Sequence, residues 1–408
     1  MRNHQLRPFP FLALLLLLLP LPARAALVPV GAPLAIADES ICSFIPDLEV
    51  IATPKGAFEV VWVDFGDETV KGRRFARNLQ PAGAPQTLLP LHGGLNSFDF
   101  VGTWAGRYEL VMNVLDFGDN PDDPTAAYRV QLDLAGDPLA PPARIKPSRF
   151  LELAPAAAGD SLQFRFEPPI FGPPTCQSWG LLARRIDLDG DPLSVESRVN
   201  RRASAPALGP LEVERLPDDT FVAAYGTCQK FVGLVARRLN SAGAPVGNPI
   251  DLPLPGRASG LVLAARGADL AVATVIFNST SPGLSGIYTR AVANGQVFGP
   301  TRISIPAPLT ASFVVDLEAS PTGGYLLLFQ GSSGNPERHV LLAQELDAQG
   351  VPQGAPLAIT GESEFGVGGA IASLPNGRWL VVTRVQSGPP GLPDCRERLI
   401  GTILASTP

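Results

Sequence analysis

Ala236-Arg237-Arg238-Leu239-Asn240-Ser241-Ala242-Gly243-Ala244-Pro245 is the stretch on which the fold turns, because the chain repeats it. Ala76-Arg77-Asn78-Leu79-Gln80-Pro81-Ala82-Gly83-Ala84-Pro85 agrees with it at most positions. Ala183-Arg184-Arg185-Ile186-Asp187 leads to Gly190 and Pro192 in the same register, and Ala343-Gln344-Glu345-Leu346-Asp347 leads to Gly350 and Pro352. Gln131-Leu132-Asp133 before Gly136 and Pro138 is a weaker copy, and Ala293-Asn294-Gly295 a shortened one. Self-similarity at a period of about 50 residues marks a repeat architecture, in which one supersecondary unit buries its faces only against its neighbours.

Outward from that stretch, each unit carries an earlier turn: Thr53-Pro54-Lys55-Gly56, Leu216-Pro217-Asp218-Asp219, Ser320-Pro321-Thr322-Gly323 and Leu374-Pro375-Asn376-Gly377. Proline pre-sets the first central residue of such a turn, and Gly, Asn or Asp tolerates the others. Apolar runs follow at 58–62, 221–225, 325–329 and 379–382. They are nearly continuous, as expected of strands covered on both faces. One unit therefore reads strand A, turn, strand B, variable loop, strand C, turn, strand D. Seven B strands begin near residues 58, 108, 162, 221, 270, 325 and 379. The expectation is an all-β, seven-bladed β-propeller of four-stranded antiparallel blades at about 44–94, 95–147, 148–200, 201–254, 255–306, 307–361 and 362–408.

The seventh unit stops after strand C. Its missing strand is present at the other end, where Gly31-Ala32-Pro33-Leu34-Ala35-Ile36-Ala37 nearly duplicates Gly354-Ala355-Pro356-Leu357-Ala358-Ile359-Thr360. Residues 26–40 are expected to complete the last blade and remove an open sheet edge.

The first 25 residues have the pattern of a signal peptide. Arg2 and Arg7 precede an apolar run at 11–19, and Ala23-Arg24-Ala25 fits the small-x-small cleavage rule. The run is too short to span a bilayer, and no later stretch resembles a transmembrane helix. The propeller is thus expected over 26–408, in a protein exported to a bacterial periplasm or secreted. A net charge of -6 argues against a nucleic-acid partner, which needs a basic surface. With 45% hydrophobic and 17% charged residues the chain is not of the disordered class, and 41 Gly with 43 Pro suit a turn-rich fold.

An exported chain with four cysteines suggests two disulfides. The repeat places Cys42 in the link into blade one and Cys395 in the B–C loop of blade seven, on one face, so Cys42–Cys395 is expected. Cys176 and Cys228 occupy matching B–C loops of blades three and four and form the second expected pair.

These motifs resemble exported bacterial seven-bladed propeller repeat proteins, with an L-P-x-G turn, an aromatic apolar strand, A-R-R-x-D/N and then G-x-P. The resemblance spans the mature chain and implies the architecture alone.

Acidic residues recur in the B–C loops of blades one and two: Asp64-Phe65-Gly66-Asp67-Glu68 and Asp116-Phe117-Gly118-Asp119, continuing to Asp122 and Asp123. Asp64, Asp67, Asp116, Asp119 and Asp122 are candidate calcium ligands, since hard oxygen donors suit that ion, although no cofactor is required. The same carboxylates offer acid/base chemistry, and the plainer reading is a solvated acidic loop carried by the repeat. Asp187-Leu188-Asp189-Gly190-Asp191 resembles part of a calcium loop but coincides with the repeated turn. Only His92 and His339 lie in the mature chain, neither in a metal motif, and there is no G-x-S-x-G or P-loop. Asn278-Ser279-Thr280 is a formal glycosylation sequon. The paired arginines are expected to serve blade edges. The expected function is a non-catalytic extracytoplasmic binding or scaffold protein whose loop-bearing face holds an unidentified protein or glycan. The alternative is a carbohydrate-active enzyme using the acidic loops of blades one and two.

Overall fold

In a computed structural model the described residues are 26–39, 48–52, 57–64, 69–90, 94–102, 108–115, 125–133, 139–141, 143–145, 152–156, 160–167, 180–187, 191–200, 206–227, 233–277, 281–333, 338–361, 368–374, 377–387 and 396–407. The all-β reading holds: among them every long element is a strand, and one short 3₁₀ turn spans Pro282–Leu284. The amino-terminal segment supplies β1 (Ala26–Pro29) and β2 (Leu34–Glu39). Six four-stranded antiparallel sheets follow in chain order. They are β3 (Leu48–Ala52), β4 (Phe58–Asp64), β5 (Thr69–Phe75) and β6 (Gln86–Pro90); then β7 (Gly94–Gly102), β8 (Tyr108–Leu115), β9 (Thr125–Leu132) and β10 (Ala143–Ile145). Next come β11 (Glu152–Pro155), β12 (Ser161–Glu167), β13 (Gly180–Ile186) and β14 (Ser197–Arg198), and β15 (Pro206–Arg215), β16 (Phe221–Thr227), β17 (Gly233–Leu239) and β18 (Pro245–Pro253). The fifth sheet holds β19 (Arg257–Arg266), β20 (Asp269–Phe277), β21 (Gly286–Ala293) and β22 (Gln296–Arg302), and the sixth β23 (Thr310–Ala319), β24 (Tyr325–Ser333), β25 (Arg338–Leu346) and β26 (Pro352–Ala358). A seventh is built from β27 (Gly368–Leu374), β28 (Arg378–Ser387) and β29 (Arg396–Thr407), with β1 and β2 both paired to β29.

The first strands of successive sheets are neighbours from β3 round to β27, and β27 lies against β3. The sheets therefore stand radially about an axis, their first strands innermost. Radial stacking explains the continuous apolar runs. In β16, Phe221, Ala223 and Tyr225 pack against Leu162 and Phe164 of the third sheet. The intervening Val222 and Ala224 pack against Leu261, Leu263 and Leu270 of the fifth. A strand whose alternate residues face two different neighbouring sheets has no polar face to offer.

The fourth strands share a device the turns only hinted at. Pro245, Pro352, Pro81 and Pro192 pair opposite the last residues of their third strands, Leu239, Leu346, Phe75 and Ile186, and Pro29 pairs with Leu404 near the end of β29. Four of them, at Pro29, Pro81, Pro245 and Pro352, open a Pro-x-Gly-x-Pro segment, and in three the glycine is in the left-handed region: Gly31 at φ 80°, Gly247 at 67° and Gly354 at 70°. Only glycine adopts this conformation without strain. The bulge shifts the register, so that Ala236 pairs with Ile250 and Ala343 with Leu357. At the chain start the same bulge divides β1 from β2: Pro29 pairs with Leu404, and Leu34 with Gly401.

This geometry corrects one expectation. Residues 76–85 do not align with 236–245. Pro81, not Pro85, occupies the position of Pro245, so Arg73-Arg74-Phe75 stands where Arg237-Arg238-Leu239 does. The turn hydrogen bonds agree: Ala76 N donates to Gln80 O as Asn240 N does to Ala244 O. Letter identity favoured a register four residues away because the turn and the following bulge are both built from Ala, Gly and Pro.

Ile36 is fully buried and packs among Phe58, Trp62, Leu380 and Val382, at the junction of the seventh and first sheets. Ile36→Ala is expected to cost about 2–5 kcal/mol in denaturant unfolding, whereas Val351→Ala, at a site 41% exposed, is expected to cost less than about 0.5 kcal/mol. Equal effects would contradict the placement of the closing strand.

Candidate binding face

Among the described residues, the ends of the second strands, the starts of the third and the links 254–256 and 303–309 lie at one end of the radial stack, the loop end, and the tight turns lie at the other. At the turn end the repeated polar residues hold the turns themselves. The carboxylate of Asp187 accepts the N–H of Asp191 at 2.8 Å; Asn240 and Asp347 do the same for Ala244 and Val351, each at 2.9 Å. The paired arginines tie neighbouring sheets. Arg185 forms an ion pair with Asp160 and another at 3.1 Å with Asp219 of the next sheet, and donates to Ser241 O at 2.9 Å. Its charge is correspondingly stabilised, and its pKa is held above the usual arginine value, chiefly by the hydrogen bond to Asp160. Arg238 reaches Gly267 O of the fifth sheet at 2.7 Å.

At the loop end, Asp64 closes β4, is buried, and accepts a hydrogen bond from Lys71 Nζ. Nearby, the buried Arg384–Glu397 ion pair joins β28 to β29, and Arg384 also donates to Val63 O of the first sheet at 3.2 Å. The other candidate ligands, Asp67, Asp116, Asp119 and Asp122, lie outside the described residues, as do Cys42, Cys176, Cys228, Cys395, His92 and the sequon at Asn278. Among the described residues no three His, Cys, Asp or Glu side chains are grouped to hold a metal ion. His339 is the second residue of β25, and its Nδ1 meets the amide nitrogen of Gln330; the adjacent Ser312 and Ser332 hydroxyls are 2.9 Å apart.

The inner strands carry a pattern of acids at one register position. Counting back from the residue opposite the start of each second strand, the same position is Glu49, Asp99, Glu152, Glu212 and Asp316. Each follows and precedes an apolar residue, and β19 and β27 have no acid at all. Asp316 shows one use of the position. Its carboxylate accepts the N–H of Ile371, on the inner strand of the next sheet, at 2.7 Å, and that of Leu317 at 2.7 Å. Glu318, two residues on, accepts the Ser373 hydroxyl at 3.0 Å. The acids thus bond polar groups along the inner edge that no further strand covers. Both remain within reach of water but are surrounded by protein, and no cation pairs with them among the described residues. Burial pushes Asp316 up to about 6 against its two backbone hydrogen bonds. Glu318 rises to about 7, first by burial and then by repulsion from Asp316. Glu59, on β4, is likewise raised to about 7 by burial, against the opposing pull of Arg74.

A cavity of about 690 Å³ opens at the loop end between the fifth and sixth sheets. Val275, Ile303 and Leu309 supply apolar wall, and Arg302, Ser304 and Thr310 polar rim. Phe277 lines it and is 59% exposed; Leu284 and Phe313, 41% and 49% exposed, neighbour its lining residues in the chain. The remaining large exposed apolar residues, among them Val30, Leu139, Leu193 and Val246, lie at the turn ends of the outer strands. Phe277 and Phe313 are therefore set apart as aromatic side chains left to water at the loop end. Neither departs from the repeat in sequence, since each ends or interrupts an apolar run as core residues do.

No family model matches the chain, and no curated protein matches it in sequence. Likeness to solved structures is confined to fold. Hydrazine synthase from Kuenenia stuttgartiensis superposes with a TM-score of 0.50 at 11% identity, over 84% of this chain and 93% of that one. The β-propeller domain of the trilobed protease from Pyrococcus furiosus gives 0.43 at 8% identity, over 86% and 90%. A puromycin hydrolase gives 0.45 at 16% identity, over 85% of this chain and 52% of that one, so the chain spans about half the length of that enzyme. The radial antiparallel sheets are those of a β-propeller.

Folding raises the pKa values of Asp316, Glu318 and Glu59, so between about pH 4 and pH 7 the folded chain keeps protons that the unfolded chain has released. Their contribution to stability is complete below the unfolded values and is lost as pH climbs through the folded ones. The melting temperature is expected to fall between about pH 5 and pH 8, and Glu318→Gln is expected to flatten that fall. An unchanged profile in the variant would contradict the assignment.

Proposed function

We propose that the chain is a seven-bladed, four-stranded propeller that acts outside the cytoplasm as a non-catalytic binding or scaffold protein, with a protein or glycan held at the loop-bearing end. The observation that supports this reading is a cavity at that end with the exposed Phe277 in its lining, Leu284 and Phe313 being exposed on segments that lead into it. Exposed apolar residues scattered singly need no explanation, but an exposed aromatic side chain in a concave site is what partners bury. The turn end is different: its polar side chains are spent on turns and on ties between sheets. Asp64, which an enzyme would need free as an acid or base, is committed to Lys71. In this reading residues 1–25 are removed on export, and Cys42–Cys395 and Cys176–Cys228 staple loops of the same end. A link across the closure seam stabilises by about 2–4 kcal/mol.

A photo-crosslinking phenylalanine analogue at position 313, and separately at position 195, tests the reading in the native envelope or medium. Val195 is 88% exposed at the opposite end. Adducts are expected from position 313 and not from 195; equal labelling from both would overturn the loop end as the working face. Non-reducing peptide mapping of the same material is expected to recover Cys42 joined to Cys395, and a Cys42–Cys176 peptide would contradict the repeat register.

A further inference from the structure

The cavity between the fifth and sixth sheets has one charged group, and the structure is arranged to present it. Arg302 ends β22 and lies across Gly286, where a Cβ would come within 3.0 Å of its Nε. Glycine at this point therefore makes room for the guanidinium. Nη1 donates to Gly283 O at 2.9 Å and Nη2 to Ser285 O at 2.7 Å. The Tyr288 hydroxyl donates to Leu284 O at 3.0 Å. Three hydrogen bonds thus fix the short 3₁₀ turn that forms one wall, so the wall is ordered before any ligand arrives, which lowers the entropic cost of binding. Both acceptors of Arg302 are neutral carbonyls. No carboxylate balances the guanidinium among the described residues, and its remaining N–H donors stay available at the rim. Val275 and Ile303 form its buried floor, and Phe277, Ile305 and Leu309 are the apolar side chains it exposes. A half-open cavity of about 690 Å³, of mixed polar and apolar lining with a single charged side chain, has the size of a small-molecule site.

We propose that this cavity binds a small amphipathic anion, an aliphatic or aromatic body ending in one carboxylate or sulfonate. The apolar body lies against Phe277, Ile305 and Leu309, and the anion meets Arg302, with the Ser304 and Thr310 hydroxyls beside it. Charge complementarity selects the anionic end, because an amine or a neutral chain of the same length leaves the guanidinium unanswered. The assignment rests on the loop-end reading and narrows it to one ligand class.

The test uses anilinonaphthalene sulfonate as a fluorescent probe on the purified exported chain, with decanoate and decanol as competitors. Saturable binding is expected, with decanoate displacing the probe about tenfold better than decanol, the scale of one charge-assisted hydrogen bond. Arg302→Gln is expected to erase that preference and Arg302→Lys to keep most of it. Ser304→Trp, at the exposed rim, is expected to abolish probe binding with an unchanged melting temperature. Probe binding that survives Ser304→Trp, equal competition by decanoate and decanol, or no saturable binding would each overturn the proposal. The two readings fail separately. Loss of probe binding with cross-linking at position 313 intact removes the ligand class alone, and loss of the cross-links removes the working face.

Discussion

The fourth to seventh sheets each bury both faces against neighbouring sheets, so none of them has a self-sufficient core. The constraint resembles that of any repeat array, where stability is held in interfaces between units. An open array would leave an apolar face at each end. Here the inner strands run round to meet, β27 against β3, and the pairing of β1 and β2 with β29 ties residues 26–39 to residues 396–407. The apolar second strands, the bulged outer strands and the arginine ties all presuppose that the ring is shut. Ile36 carries the point in one side chain: it belongs by sequence to the chain start, yet is buried between the seventh and first sheets.

Closing the ring creates a second problem at its centre. The innermost strand of each sheet has a partner on one edge only, and its other edge faces the axis. Asp316 bonds the N–H of Ile371 across that edge, and Glu318 reaches Ser373. The same register position is acidic in five of the seven inner strands, so the unit repeats an acid where its edge is open. Concentrating carboxylates there costs stability as they ionise, which is why the raised values of Asp316 and Glu318 and the open edge belong to one account.

Much of this was legible before any coordinates. Continuous apolar runs separated by proline turns implied strands covered on both faces, and segment 31–37 advertised its role by duplicating segment 354–360. Low complexity hides the register of the first unit: Ala, Gly and Pro build both the turn and the bulge, so letter identity favours an alignment four residues out. The site was less legible. The inner-strand acids were visible as an apolar–acid–apolar triplet, but with too few letters to stand out without the register that β4, β8, β12, β16 and β24 impose. Arg302 looked like any other arginine, because its significance depends on Gly286, Gly283 and Ser285 meeting it in space. Fold followed from periodicity, which is local; the cavity followed from the meeting of two sheets, which is not.

Native-state hydrogen exchange at the closing strand tests the account most directly. If the ring is closed by pairing of the chain ends, amides of β2 and their partners on β29 should exchange only on global unfolding, with the same protection free energy as amides of β18, the corresponding outer strand of the fourth sheet. Exchange of β2 amides at the rate of a frayed terminus, with β18 still protected, would contradict it.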